Sequence, residues 1–134
     1  MNITKIVVHC SDSPQGRNDG AEAIHRWHRE RGWSGIGYHD IILEDGTVEA
    51  GRPHYWKGAH CRGYNNDSIG VCLIGHGDDV TRRQAVALAS YLAKQKKRYP
   101  EAAIFGHREL DPRKTCPGFD VIEFCDKNGV NHGR

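Results

Sequence analysis

The stretch SIGVCLIG, residues 68–75, constrains the fold more than any other part of this chain. It is a near-continuous apolar run, short and bounded by polar turn residues, so it reads as a central strand. KIVVHC (5–10) is a second short, β-branched run and reads as a buried strand ending at His9 and Cys10. AEAIHRWHRERG (21–32) reads as a helix with Ile24, Trp27 and His28 on one face, closed by Gly32. GIGYHDIILEDGTVEAGR (35–52) reads as two strands joined at Asp45–Gly46, a dipeptide favoured in tight hairpin turns. Thr81 with Gln84 matches a capping box opening a helix to about Tyr99, with Ala85, Leu88, Ala89 and Leu92 as its apolar stripe and Pro100 just beyond. AAIF (102–105) is a last short strand and DVIEFCDKNG (120–129) a short C-terminal helix. SDSPQGRNDG (11–20), the glycine-rich 53–67 and GHRELDPRKTCPG (106–118) are loops. Strands and helices intermingle around one sheet, which places the chain in the α/β class, a single layered domain with a central sheet flanked by helices.

A chain of 134 residues holds one domain and leaves no room for a second core, so the domain spans 1–134. The formal net charge of +2 is too small to argue for a nucleic-acid partner, and the one basic cluster, KQKKR at 94–98, reads as the wet face of a helix. No apolar run approaches the roughly 18 residues of a membrane span. MNITKIVVHC has neither a long apolar h-region nor a small-residue cleavage site. The expectation is therefore synthesis in the cytoplasm, with another agent opening the way to any substrate beyond the membrane. Five cysteines, an odd number, argue for reduced thiols, and the lack of a CxxC pair argues against a closed structural zinc site.

Nine histidines are many for this length. His25 and His28, three apart on a helix, lack the HExxH pattern of a metalloprotease and read as partly exposed helix residues. GIGYHD begins like a dinucleotide loop but lacks the third glycine. His9 and His107 differ from the others by position: one ends the first strand and the other follows the last. Cys116 lies on the loop leaving His107, wedged between Lys114 and Pro117. Two imidazoles and a thiolate form a zinc set with a fourth position open, which is the catalytic arrangement. Spacing alone leaves two alternatives open: a nucleophilic cysteine–histidine pair activated by Arg113 and Lys114, or a plain buried thiol beside two hydrogen-bonded histidines. His39 and Cys10 should point away from their neighbours Tyr38 and His9 by strand alternation.

The order of IVVHCSDSP, IHRWHRERGW, GIGYHDIILEDGTVEAGR, KGAHCRGYNNDSIGVCLIG and FGHRELDPRKTCPGFD resembles the zinc-dependent N-acetylmuramoyl-L-alanine amidases of family 2, and among them the bacteriophage T7-type lysozymes. The resemblance runs from about residue 5 to about residue 125. It implies the mixed-sheet fold that this family shares with the peptidoglycan recognition proteins. It implies one catalytic Zn²⁺ held by His9, His107 and Cys116, and a thiolate ligand favours catalysis over mere binding. Tyr38 maps to the family's catalytic tyrosine and Lys114 to its catalytic lysine, while His60 maps to a histidine near substrate. Glu109 has no counterpart role.

The activity implied is hydrolysis of the amide between N-acetylmuramic acid and L-alanine in peptidoglycan by a monomer, as a phage endolysin in host lysis. Peptidoglycan binding without catalysis and cell-wall recycling are the alternatives. Some members also bind and restrain the phage RNA polymerase, a second implied partner. Some phage members carry an N-terminal extension, whereas here the first strand begins almost at Met1.

Overall fold

Parallel strands are covered on both faces, and the apolar runs of this chain follow from that requirement. The computed structural model describes residues 2–14 and 19–134, so Met1 and residues 15–18 of the expected 11–20 loop lie outside the described residues. The elements are β1 (Lys5–Cys10), α1 (Ala21–Glu30), β2 (Asp40–Ile42), β3 (Val48–Ala50), β4 (Ser68–Leu73), α2 (Arg82–Arg98), β5 (Ala103–Gly106), the one-turn α3 (His107–Leu110) and α4 (Val121–Lys127). The sheet order is β3-β2-β4-β1-β5. β1 runs parallel to β4 and β5, β2 runs parallel to β4, and β2 with β3 is antiparallel, so the sheet is mixed. Every residue of the central β4 is buried.

Alternation along β1 and β4 divides the core in two. Ile6, Val8, Ile69, Val71 and Leu73 pack with Leu88 and Leu92 of α2, Ile104 of β5 and Val121 of α4. Cys72 and Ile41 face the other way and pack with Ile24 of α1, Ile36 and Ile74. His9 is offset by one from Val8 and therefore shares the second face, beside its register partner Cys72.

The capping box at the start of α2 forms as read. The Thr81 hydroxyl accepts from the Gln84 backbone N–H at 3.1 Å, and the Gln84 side-chain Oε1 accepts from the Thr81 N–H at 3.1 Å. The buried stripe of α2 differs from the expected one: Gln84, Tyr91 and Gln95 join Leu88 and Leu92, while Ala85 and Ala89 are only half-buried. Gln84 is drawn in because its amide donates to the Ile74 carbonyl at 2.8 Å, and the Tyr91 hydroxyl donates to Asp40 at 2.5 Å. Both strands of the hairpin are short, three residues each. Beyond them the His39 and Tyr38 carbonyls still accept from the Gly51 and Arg52 N–H groups across the hairpin, whereas the Gly37 carbonyl accepts from Ala59 N–H outside it. GHREL, expected as loop, closes one helical turn through Asp111 N–H to the His107 carbonyl at 2.9 Å. The Glu109 carboxylate braces that turn by accepting from Gly106 N–H at 2.9 Å.

Candidate metal centre

In open parallel sheets, functional groups gather beyond the carboxyl ends of the strands. Here Val8 pairs with Gly106 and His9 with Cys72, so β1, β4 and β5 end at one edge. His107 follows Gly106 directly, which sets its ring 4.4 Å from that of His9, centroid to centroid. The chain then turns through α3 and returns, with Arg108 N–H donating to the Cys116 carbonyl at 2.7 Å. One donor atom from each of His9, His107 and Cys116 lies within 4.8 Å of the other two. Ligand bonds of about 2.0–2.3 Å to one zinc ion close that spacing with small side-chain adjustments.

The protonation chemistry fits a metal as well. A ligating imidazole must be neutral, and burial pushes His9 well below the ordinary histidine range, helped by His60 and His107. Burial lowers His107 too, against the pull of Asp111. The Cys116 sulfur accepts the Cys10 backbone N–H at 2.8 Å, a bond suited to a sulfur that carries charge. The Cys10 and Cys116 thiols are neighbours and titrate as a pair, so metal dependence, rather than the acidity of the free thiol, separates a ligand from a nucleophile at Cys116.

Tyr38, His60, His107 and Lys114 line one cleft of about 500 Å³, together with His28, Trp33 and Asp111. The Tyr38 ring lies 5.1 Å from His9, with the Cys72 thiol beside its hydroxyl. Burial, then the neighbouring Cys72, pushes Tyr38 well above the ordinary phenol range, so its hydroxyl stays protonated. Lys114 is exposed at the rim, close enough to His107 to disfavour its protonation. Asp111 shapes that rim: its carboxylate pairs with Arg113 at 2.9 Å and its backbone carbonyl accepts from Lys114 N–H at 3.0 Å.

His60 lines the cleft, where it is expected near substrate, and it also contacts His9. It is 7% exposed, with Nδ1 2.9 Å from His9 Nε2 and Nε2 3.0 Å from the Ser68 hydroxyl. Cys10 follows strand alternation yet still meets Cys116, because the 115–118 loop wraps over the end of β1. His39 is fully buried, accepting from Gly70 N–H at 3.1 Å and donating to the Trp56 carbonyl at 2.8 Å, a structural role. His28 is buried rather than partly exposed: its Nδ1 accepts from Gly37 N–H at 2.9 Å and so anchors the segment that carries Tyr38.

Two predictions arise from this scaffold. Burial, followed by Arg31 and Arg52, lowers His28 from 6.5 to about 4. Between those values the unfolded chain binds a proton that the folded chain refuses, so the contribution to stability is complete above pH 6.5 and falls as pH drops toward 4. The loss from this residue is on the order of 3 kcal/mol at most. Urea titrations should show a lower midpoint at pH 4.5 than at pH 7.5, with a shallower pH slope in His28→Asn. The second concerns the backbone under the cysteine. A Cβ on Gly77 would lie 1.4 Å from the Pro117 carbonyl oxygen. Gly77→Ala must therefore displace the 115–118 loop, at a cost of about 1–3 kcal/mol in thermal unfolding.

The chain matches the family profile described as N-acetylmuramoyl-L-alanine amidase over residues 1–119. It is 44% identical to an endolysin of Escherichia phage T7 across 92% of this chain and 85% of that protein. Among solved structures it is similar to the N-acetylmuramoyl-L-alanine amidase LysC from Clostridium intestinale URNW, with a TM-score of 0.86 and 30% identity, covering 98% of this chain and 88% of that one. It is also similar to Drosophila PGRP-LB, with a TM-score of 0.80 and 25% identity, covering 100% and 86%. The profile match takes in both histidines and the cysteine of the cluster, and the chain belongs to the N-acetylmuramoyl-L-alanine amidase family.

Proposed function

We propose that this chain is a zinc-dependent N-acetylmuramoyl-L-alanine amidase acting as a phage endolysin, with His9, His107 and Cys116 holding the metal. The convergence of those three donors from three separate segments, with His107 also lining the cleft, carries the reading. Held there, a zinc ion would supply Lewis acidity and lower the pKa of a bound water toward about 7.

The protein's own groups surround the reacting amide. As the lactyl carbonyl gains the oxygen of water, negative charge develops on its original oxygen, and the Lys114 ammonium at the rim stabilises it. Tyr38, kept protonated by burial, offers a hydroxyl donor to the same region once it turns from Cys72. The carbon–nitrogen bond then breaks as the two protons of the water pass to the nitrogen, leaving a lactyl carboxylate on the sugar and a free N-terminal ammonium on L-alanine. Trp33, 40% exposed on the cleft wall, presents an apolar face to substrate.

Digestion of purified peptidoglycan in ¹⁸O-labelled water tests the bond assignment. The label should appear in the lactyl carboxylate of the glycan, and the released peptides should begin with free L-alanine. New reducing sugar ends, or cleavage within the peptide, would refute the assignment.

A further inference from the structure

We propose that His60 is a positioning residue for the metal centre: through Ser68 and the Tyr64 carbonyl it fixes the tautomer of His9, leaving Nδ1 as the metal ligand. This inference rests on the zinc reading above and concerns how the chain prepares one ligand.

The direction of each hydrogen bond follows from the far end of the chain of contacts. The Tyr64 carbonyl can only accept, so the Ser68 hydroxyl, 2.7 Å away, donates its single proton there. Ser68 Oγ must then accept from His60 Nε2, at 3.0 Å. A neutral imidazole protonated at Nε2 has its lone pair on Nδ1. His60 Nδ1 therefore accepts from His9 Nε2–H at 2.9 Å. His9 in turn is left with its lone pair on Nδ1, which no hydrogen bond occupies among the described residues. One carbonyl thus sets the protonation of two successive imidazoles and leaves His9, one of the three clustered donors, with a bare nitrogen for a metal.

The surroundings hold His60 for that task. Its backbone N–H and that of Cys61 both donate to the Asn65 side-chain oxygen, each at 2.9 Å. Its ring rests over Gly70, where a Cβ would lie 2.5 Å from His60 Cγ, so β4 offers a gap that only glycine leaves open. The two imidazoles meet edge to face at 90°, with centroids 5.0 Å apart. Burial keeps water from substituting for the ring. Since both ring nitrogens bond within the protein, neither is available to a muropeptide. An outer partner of this kind orients a ligating histidine and raises its donor strength, and its loss typically weakens metal binding about 10–100-fold.

The test begins with the unaltered, ¹⁵N-labelled protein. Long-range ¹H–¹⁵N spectra should show His9 and His60 both protonated at Nε2. Loading with ¹¹³Cd, a spin-active stand-in for zinc, should give a metal coupling at His9 Nδ1. Coupling at His9 Nε2, or a His9 proton on Nδ1, overturns this inference while leaving the zinc reading intact. Coupling to neither His9 nitrogen overturns both. His60→Phe, which fills the space without an acceptor, should bind zinc about 10–100-fold more weakly in chelator competition, and His60→Gln, which restores an acceptor, should recover most of the loss. Unchanged zinc affinity with a raised KM in His60→Phe would instead make His60 a substrate contact.

Discussion

Cys116→Ser is expected to lower peptidoglycan hydrolysis at least about a thousandfold and to abolish stoichiometric zinc binding, while the metal-free protein unfolds within a few degrees of the parent. A serine hydroxyl matches the thiol in position but is not ionised near neutrality, so it offers a metal neither the charge nor the polarisable sulfur that a thiolate does. The fold should survive because Cys116 sits on a half-exposed loop, outside both apolar clusters. Its structural contacts are a hydrogen bond at 2.8 Å from the Cys10 N–H and the thiol of Cys10, both of which an oxygen can meet. Zinc content by elemental analysis, read beside activity, separates the two catalytic alternatives. A cysteine nucleophile would lose activity on this substitution yet keep its activity after metal depletion of the parent. A metal ligand loses both.

Lys114→Met is expected to reduce kcat about 100–1000-fold, with KM and zinc affinity changed little. The substitution keeps the length and apolar stem of the side chain and removes only the charge. Lys114 is exposed and its backbone, not its ammonium, makes the hydrogen bond to the Asp111 carbonyl that shapes the rim. Loss of a donor that acts only as charge develops appears in kcat, whereas loss of a general attraction for an acidic peptide appears in KM. A variant with unchanged kcat and a several-fold higher KM would therefore assign Lys114 to binding alone.

Much of this architecture is legible from local rules. Short apolar runs mark β1 and β4, the Thr81–Gln84 box marks the start of α2, and turn residues mark the loops. The candidate ligands stand out because His9 ends a strand, His107 follows one, and Cys116 sits exposed to turn chemistry rather than in an apolar run. What local rules miss is polar burial that depends on distant partners. His60 meets His9 across 51 positions, and nothing near residue 60 announces that Gly70 opens a gap for its ring. Gln84 and Tyr91 look like surface residues until the Ile74 carbonyl and Asp40 arrive to satisfy them. His28 is drawn inward by a single backbone N–H from Gly37. Cys10 points to the face opposite His9, as alternation requires, and touches Cys116 only because a later loop folds over the strand end.

The most direct test of zinc-dependent amidase activity is mass spectrometry of the material released from purified Gram-negative peptidoglycan by chelator-stripped protein, with and without added zinc. Release of stem peptides beginning with free L-alanine only when zinc is restored is the expected result. Equal release in both samples would contradict the metal centre, and an intact wall in both would contradict catalysis on this substrate.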